Sequence, residues 1–226
     1  HLLLTGQIRS GIVKAYFIDD DGTERDFFES LSLWQKGAFK IPAGTPLYHG
    51  SPEPTASLIM ESRKLSGRSR FKMGRGVLTE GGLIWFTRTL QDATHWSSGP
   101  EALPEDRVST GRVFSFVPPH DLIVVPRDME LSAREAAKLN DALGLPDYKR
   151  VKAGDTLNCA VYRAFDSARY EYLEKYRTSY GTMVVIWPTA LAALGAHGFS
   201  YHEGKHIAVA ADALDVQPVD LAGWYR

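Results

Sequence analysis

The chain has 226 residues, 44% of them hydrophobic, and a formal net charge of −1. That size and apolar content suit one catalytic domain with a short extension, while the near-neutral charge excludes a global basic field of the kind that binds nucleic acid or anionic membrane non-specifically. The single cysteine, Cys159, excludes an internal disulfide framework and a cysteine-based zinc site, and is expected to pack as a small apolar residue in a helix.

No run reaches the apolar length that spans a bilayer, so no membrane partner is expected. The opening His1-Leu-Leu-Leu-Thr-Gly lacks the basic region and apolar core of a signal peptide. The missing initiator Met points to a piece of a longer protein, with targeting signals elsewhere.

In chain order, residues 12–18 and 23–28 read as two strands joined by Asp19-Asp20-Asp21-Gly22, a turn composition that tolerates positive φ. The acidic turn lacks the alternating oxygen ligands and later Glu of a calcium loop. Residues 1–40 are thus expected to form an N-terminal hairpin extension, and 41–226 the main domain. Residues 34–40 lead through Ile41-Pro42-Ala43-Gly44 into Pro46-Leu47-Tyr48-His49-Gly50-Ser51. Here a short apolar strand delivers a polar side chain and a bare stretch of backbone to one place. Residues 54–62 read as a short helix with Leu58 and Ile59 as apolar positions.

Between Ser62 and Arg75 stand six basic residues, Arg63, Lys64, Arg68, Arg70, Lys72 and Arg75, and no acid. Charge runs are usually solvated loops, but guanidinium groups also pair phosphate oxygens bidentately. Arg68 and Arg75 are therefore candidates to grip the pyrophosphate of a dinucleotide or the phosphates of a nucleic acid. The next apolar run, residues 83–86, is bounded by Gly81-Gly82 and followed by Thr87-Arg88-Thr89 and a helical segment through Asp92-Ala93-Thr94-His95-Trp96.

Further on, residues 112–117 and 122–125 read as strands. Ser132-x-x-Glu135 is a capping box opening a helix over 133–143 that stops at Gly144. A second helix is expected over 156–176, its tyrosines serving packing. Residues 183–187 read as an apolar strand before a short helix from Pro188 to Gly195, and residues 198–201, 207–210 and 216–221 as closing strands.

A Tyr-His-Gly-Ser strand, an aromatic-aromatic-Thr strand, an Asp-Ala pair and a second aromatic, in that order, resemble the ADP-ribosyltransferases of the diphtheria-toxin and poly(ADP-ribose) polymerase type. Trp85 and Trp96 stand eleven positions apart, the separation of the two nicotinamide-stacking tyrosines in the toxin branch. Tryptophan replaces tyrosine at both places and keeps the physics, since the nicotinamide of NAD is a cationic ring and cation–π stacking contributes about 1–2 kcal/mol when desolvated. The bland alternative for each piece is a structural histidine and core tryptophans.

The resemblance implies an α+β fold, a split pair of antiparallel sheets with a central NAD cleft and flanking helices. It implies NAD as co-substrate and transfer of ADP-ribose to a macromolecular acceptor, protein or nucleic acid. His49 would hold a ribose hydroxyl, Gly50 the nicotinamide carboxamide, and Trp85 and Trp96 the ring. Ser51 and Thr87, with Arg88, would line the same pocket. It further implies a secreted or delivered bacterial toxin or effector acting in a target-cell cytoplasm, and leaves room for a neutralising immunity protein. It covers residues 47–96 with fairly specific motifs and 188–221 loosely.

The family places a catalytic glutamate where this chain has Lys205 or His206, and the nearest acid is Glu203, which is taken as the candidate carboxylate. A carboxylate suits the reaction because cleavage of the nicotinamide–ribose bond passes through an oxocarbenium-like state. His202-Glu203-Gly204-Lys205-His206 also matches H-E-x-x-H, which on a helix aligns two histidines on zinc with Glu as general base of a peptidase. Gly204 inside the motif and the lack of a later His, Glu or Cys weigh against that. A third possibility is a catalytically inactive nucleotide-binding module of the same fold.

Overall fold

The computed structural model describes residues 16–18, 24–26, 33–67, 82–97, 111–175 and 186–221. Strands β1 (Tyr16–Ile18) and β2 (Glu24–Asp26) pair antiparallel, so the expected hairpin forms; its acidic turn lies outside the described residues. There follow β3 (Phe39–Ile41), β4 (Leu47–Ser51), α1 (Thr55–Ser62), β5 (Lys64–Ser66), β6 (Leu83–Thr87) and α2 (Leu90–Ser97). Strands β7 (Arg112–Phe116) and β8 (Leu122–Pro126) precede three helices, α3 (Ala133–Ala142), α4 (Leu157–Lys175) and α5 (Ile186–Leu194). The chain closes with β9 (Gly198–Tyr201), β10 (His206–Ala210), β11 (Ala213–Asp215) and β12 (Gln217–Pro218).

These elements make an α+β fold. Its centre is a mixed, mostly antiparallel eight-stranded sheet in the order β12-β7-β4-β6-β10-β9-β8-β3, beside two-stranded sheets β1-β2 and β11-β5. Among the described strands only β8 and β9 run parallel. The expected pair of separate sheets is thus corrected to one continuous pairing order, but with a seam. Strands β4 and β7 share five paired positions and β6 and β10 another five, whereas β4 and β6 meet at the single pair Tyr48↔Thr87.

Both faces of the sheet are covered, which explains the uninterrupted apolar run of β6. Leu83 and Trp85 face a core with Val125, Phe199, Ala208 and the buried faces of α3, α4 and α5. Ile84 and Phe86 face the opposite core with Leu47, Phe114, Phe116, Ile207 and Ile59 of α1. Strand alternation sends successive residues to opposite sides, so a strand buried twice is apolar throughout. Cys159 sits half-buried against the first core, in the packing role expected of it.

Some boundaries differ from those the sequence suggests. Ile186 and Trp187 belong to the first turn of α5, not to a strand; residues 183–185 lie outside the described residues. Proline at the third helical position is tolerated because first-turn N–H groups have no intrahelical partner. Lys64–Ser66, read as loop, is a strand because it pairs with β11. Within the single closing strand expected over 216–221 only Gln217–Pro218 is a strand, paired with β7, while Ala213–Asp215 just before it pairs with β5 and buried Val216 separates the two. Leu58, expected to be apolar packing, is 64% exposed, while Ala56 and Ile59 are buried. The division at residue 40 falls inside β3, which pairs with β8 at the sheet edge.

The capping box forms as expected. The Ser132 hydroxyl accepts from the Glu135 backbone N–H, and the Glu135 carboxylate accepts from the Ser132 N–H at 2.8 Å. That carboxylate also pairs with Lys36, whose side chain is 5% exposed. Burial works to raise the Glu135 pKa, but the Lys36 ammonium and the Ser132 donors outweigh it and hold the carboxyl below its ordinary value. A depressed acid stabilises the fold above its unfolded pKa and loses that contribution as pH falls through its folded one. Lys36→Met should therefore cost on the order of 3 kcal/mol in urea unfolding at pH 7. The difference from wild type should shrink as pH falls below the unfolded carboxyl value of 4.5; a pH-independent difference would rule out the ion pair as its source.

Candidate functional site

The seam between β4 and β6 opens into a cleft of about 430 Å³. Among the described residues, β4 lines it with Tyr48, His49 and Gly50, and β6 with Trp85, Phe86 and Thr87. Trp96 of α2 adds a third side, and Tyr201, His202 and His206 from the β9–β10 hairpin a fourth. The two stretches singled out in the sequence thus converge on one place.

His49 spans the seam. Its Nδ1 lies 2.8 Å from the Trp85 carbonyl oxygen, which can only accept, so Nδ1 carries the proton and donates. Burial lowers the His49 pKa, against the smaller raising effect of that hydrogen bond, so the ring is neutral at pH 7 and Nε2 keeps its lone pair. An imidazole in that tautomer accepts a hydrogen bond from a hydroxyl. Phe86 meets the ring edge-on at 6.2 Å, limiting its rotation.

Gly50 has a packing reason that the sequence alone does not show. A Cβ there would stand 1.9 Å from the Ala93 carbonyl oxygen and 2.7 Å from the Ser97 nitrogen, both backbone atoms of α2. The missing side chain lets the helix lie directly on β4. Thr89 caps that helix, its hydroxyl accepting from the Asp92 N–H and donating to the Asp92 carboxylate at 2.6 Å. Close docking of α2 brings Trp96 to the cleft, where it is 52% exposed. Trp85 is half-buried, with Phe199 edge-on at 5.5 Å. The two tryptophans hence line one cavity from different elements.

Other candidates are placed differently. Ser51 shares the His49 face of β4 by strand alternation, yet it is 2% exposed and does not line the cleft. Thr87 lines the cleft but is buried, donating to the Thr89 carbonyl at 3.0 Å. Arg88 is exposed and stacks over Phe39 at 5.7 Å. Arg68 and Arg75 lie outside the described residues.

Glu203 is the main departure. His202 and Glu203 take left-handed backbone conformations, φ 49° and 56°, followed by Gly204 at 82°, making a tight turn between β9 and β10. The turn leaves Glu203 exposed and off the cleft wall, whereas His202 and His206 line the cavity. The H-E-x-x-H motif consequently does not lie on a helix, the condition its zinc reading requires. Among the described residues no group of three His, Cys, Asp or Glu is placed to hold a metal ion.

Tyr201 carries no motif in the sequence, His202 enters there only through the zinc reading, and His206 also marks a place where the family has its glutamate. The available signal was the position of His206 at the head of the Ile207-Ala208-Val209 strand. Among the described residues no helix is long and apolar enough to cross a membrane. No family model, no curated protein and no solved structure matches this chain.

Gly50→Ala should lower stability by about 1–3 kcal/mol in urea unfolding, the usual cost of overpacking, as α2 is forced off β4. An unchanged midpoint would contradict this account of the glycine.

Proposed function

We propose that this chain is an NAD-dependent mono-ADP-ribosyltransferase with an ADP-ribosyltransferase-like fold, in which the seam between the two halves of the sheet is the NAD cleft. The observation that carries the reading is that His49, Gly50, Trp85 and Trp96, the residues that bear the family resemblance, line one cavity. They arrive there from β4, β6 and α2. A cavity of this size with two indole faces, a bare glycine backbone and a neutral imidazole suits a flat cationic ring joined to a ribose.

In this reading Trp85 and Trp96 flank the nicotinamide and the Gly50 backbone meets its carboxamide. The His49 Nε2 accepts from a ribose hydroxyl. Bound this way, the C1′–nicotinamide bond is held for cleavage, and ADP-ribose passes to a protein or nucleic-acid acceptor. The proposal includes a bacterial toxin or effector setting, delivered to a target-cell cytoplasm, with room for a neutralising immunity protein.

Calorimetric titration with NAD tests the pocket without knowledge of the acceptor. Trp85→Ala should weaken binding about 5–30-fold, the equivalent of about 1–2 kcal/mol of cation–π stacking. His49→Ala should weaken it too. Unchanged affinity in both variants would sink the assignment, and NAD binding without nicotinamide release, alone or with a cell lysate, would leave a binding module in place of an enzyme.

A further inference from the structure

We propose that His206, and not Glu203, is the proton-accepting group of this cleft, a step that rests on the ADP-ribosyl-transfer reading above.

Position comes first. His206 opens β10 and is paired on both sides, with Thr87 of β6 and Tyr201 of β9, so its backbone is fixed by two ladders. Its ring meets Trp96 edge-on at 5.9 Å and His202 at 5.5 Å. It thereby stands beside one of the two indoles assigned to the nicotinamide. Among the described residues that line the cavity there is no Asp or Glu. Two consecutive non-glycine residues, His202 and Glu203, hold positive φ, and such strain clusters at functional sites. Here it accompanies a turn with His202 at the cleft and Glu203 in solvent.

The surroundings suit a base. From its own hairpin His202 and Lys205 face the ring, from α2 the Asp92 carboxylate, and across the ladder the uncharged Thr87. Burial, the largest effect, lowers the His206 pKa, with His202 and Lys205 acting in the same direction and Asp92 against them. The imidazole is neutral at pH 7 and able to take a proton.

In the step itself, the C1′–N bond breaks with its electron pair going to nicotinamide, which leaves as a neutral molecule. The acceptor's O–H or N–H nucleophile bonds to C1′, and its proton passes to the His206 imidazole. An ionised carboxylate acceptor has no proton to give. The cleft is therefore matched to hydroxyl or amine acceptors, water among them.

The experiment measures nicotinamide release and NAD affinity separately, on the same chain. His206→Asn should lower kcat by about 10²–10⁴-fold, the usual contribution of a general base, with the Kd for NAD within about threefold. Glu203→Gln should keep both within about threefold. In wild type the acid limb of the kcat/KM profile reports the His206 proton, and Asp92→Asn, which removes a charge that raises that pKa, should move the limb to lower pH. Loss of kcat in Glu203→Gln with retention in His206→Asn would overturn the proposal, as would a limb that stays put in Asp92→Asn. Wild-type chain that binds NAD but releases no nicotinamide overturns the His206 role alone; wild-type chain that fails to bind NAD overturns the pocket reading beneath it.

Discussion

The hydrogen bond from His49 to the Trp85 carbonyl is the contact on which the site depends. Strands β4 and β6 pair at one position only, and a side chain bridges them where backbone ladders elsewhere do the joining. Because the acceptor is a carbonyl, the bond also sets the tautomer of the ring. This contact thus joins the Tyr48–Thr87 pair in holding the two strands together and decides which nitrogen remains an acceptor. Burial of the ring keeps it neutral, and a neutral ring keeps that choice unambiguous.

The rest of the cleft follows from how elements are docked around this bridge. Gly50 admits α2 to backbone contact with β4, and that contact carries Trp96 to its place. Strand β6, apolar on both faces, is held between two cores, so Trp85 is anchored against Phe199 while still lining the cavity. On the far side the β9–β10 turn decides which side chains reach the cavity. Its left-handed residues are found with histidines at the cavity and a carboxylate outside it.

Much of this could be read from the residues themselves. The His49 strand, the 83–86 run and the capping box have local signatures: period-two alternation, bounding glycines, and reciprocal side-chain and backbone hydrogen bonds. What escaped is decided by long-range pairing. A two-residue change at the start of α5 is invisible because Ile186 and Trp187 are buried, and a buried helical turn is as apolar as a strand. The parallel contact of β8 with β9 joins Val124 to Gly198 across three helices. Lys64–Ser66 is a strand only by virtue of β11. Glu203 was favoured as the nearest acid in sequence. Sequence distance does not encode the turn that directs it to solvent, and His206 lies one position before the strand expected over 207–210, becoming part of it only through pairing with Thr87 and Tyr201.

The seam gives the sheet an uneven cohesion. On one side three strands and on the other five are held by continuous pairing, while along β4 and β6 one backbone pair, the His49 imidazole and the Thr87 hydroxyl supply the polar links over a shared apolar core. A molecule seated in the cleft touches both halves at once and acts as a removable rivet, adding to the native state contacts that the unfolded chain lacks. Occupancy and cohesion of the sheet are then linked: a molecule that fills the cavity adds contacts across the line where backbone pairing is sparsest, and separating β4 from β6 takes its walls apart.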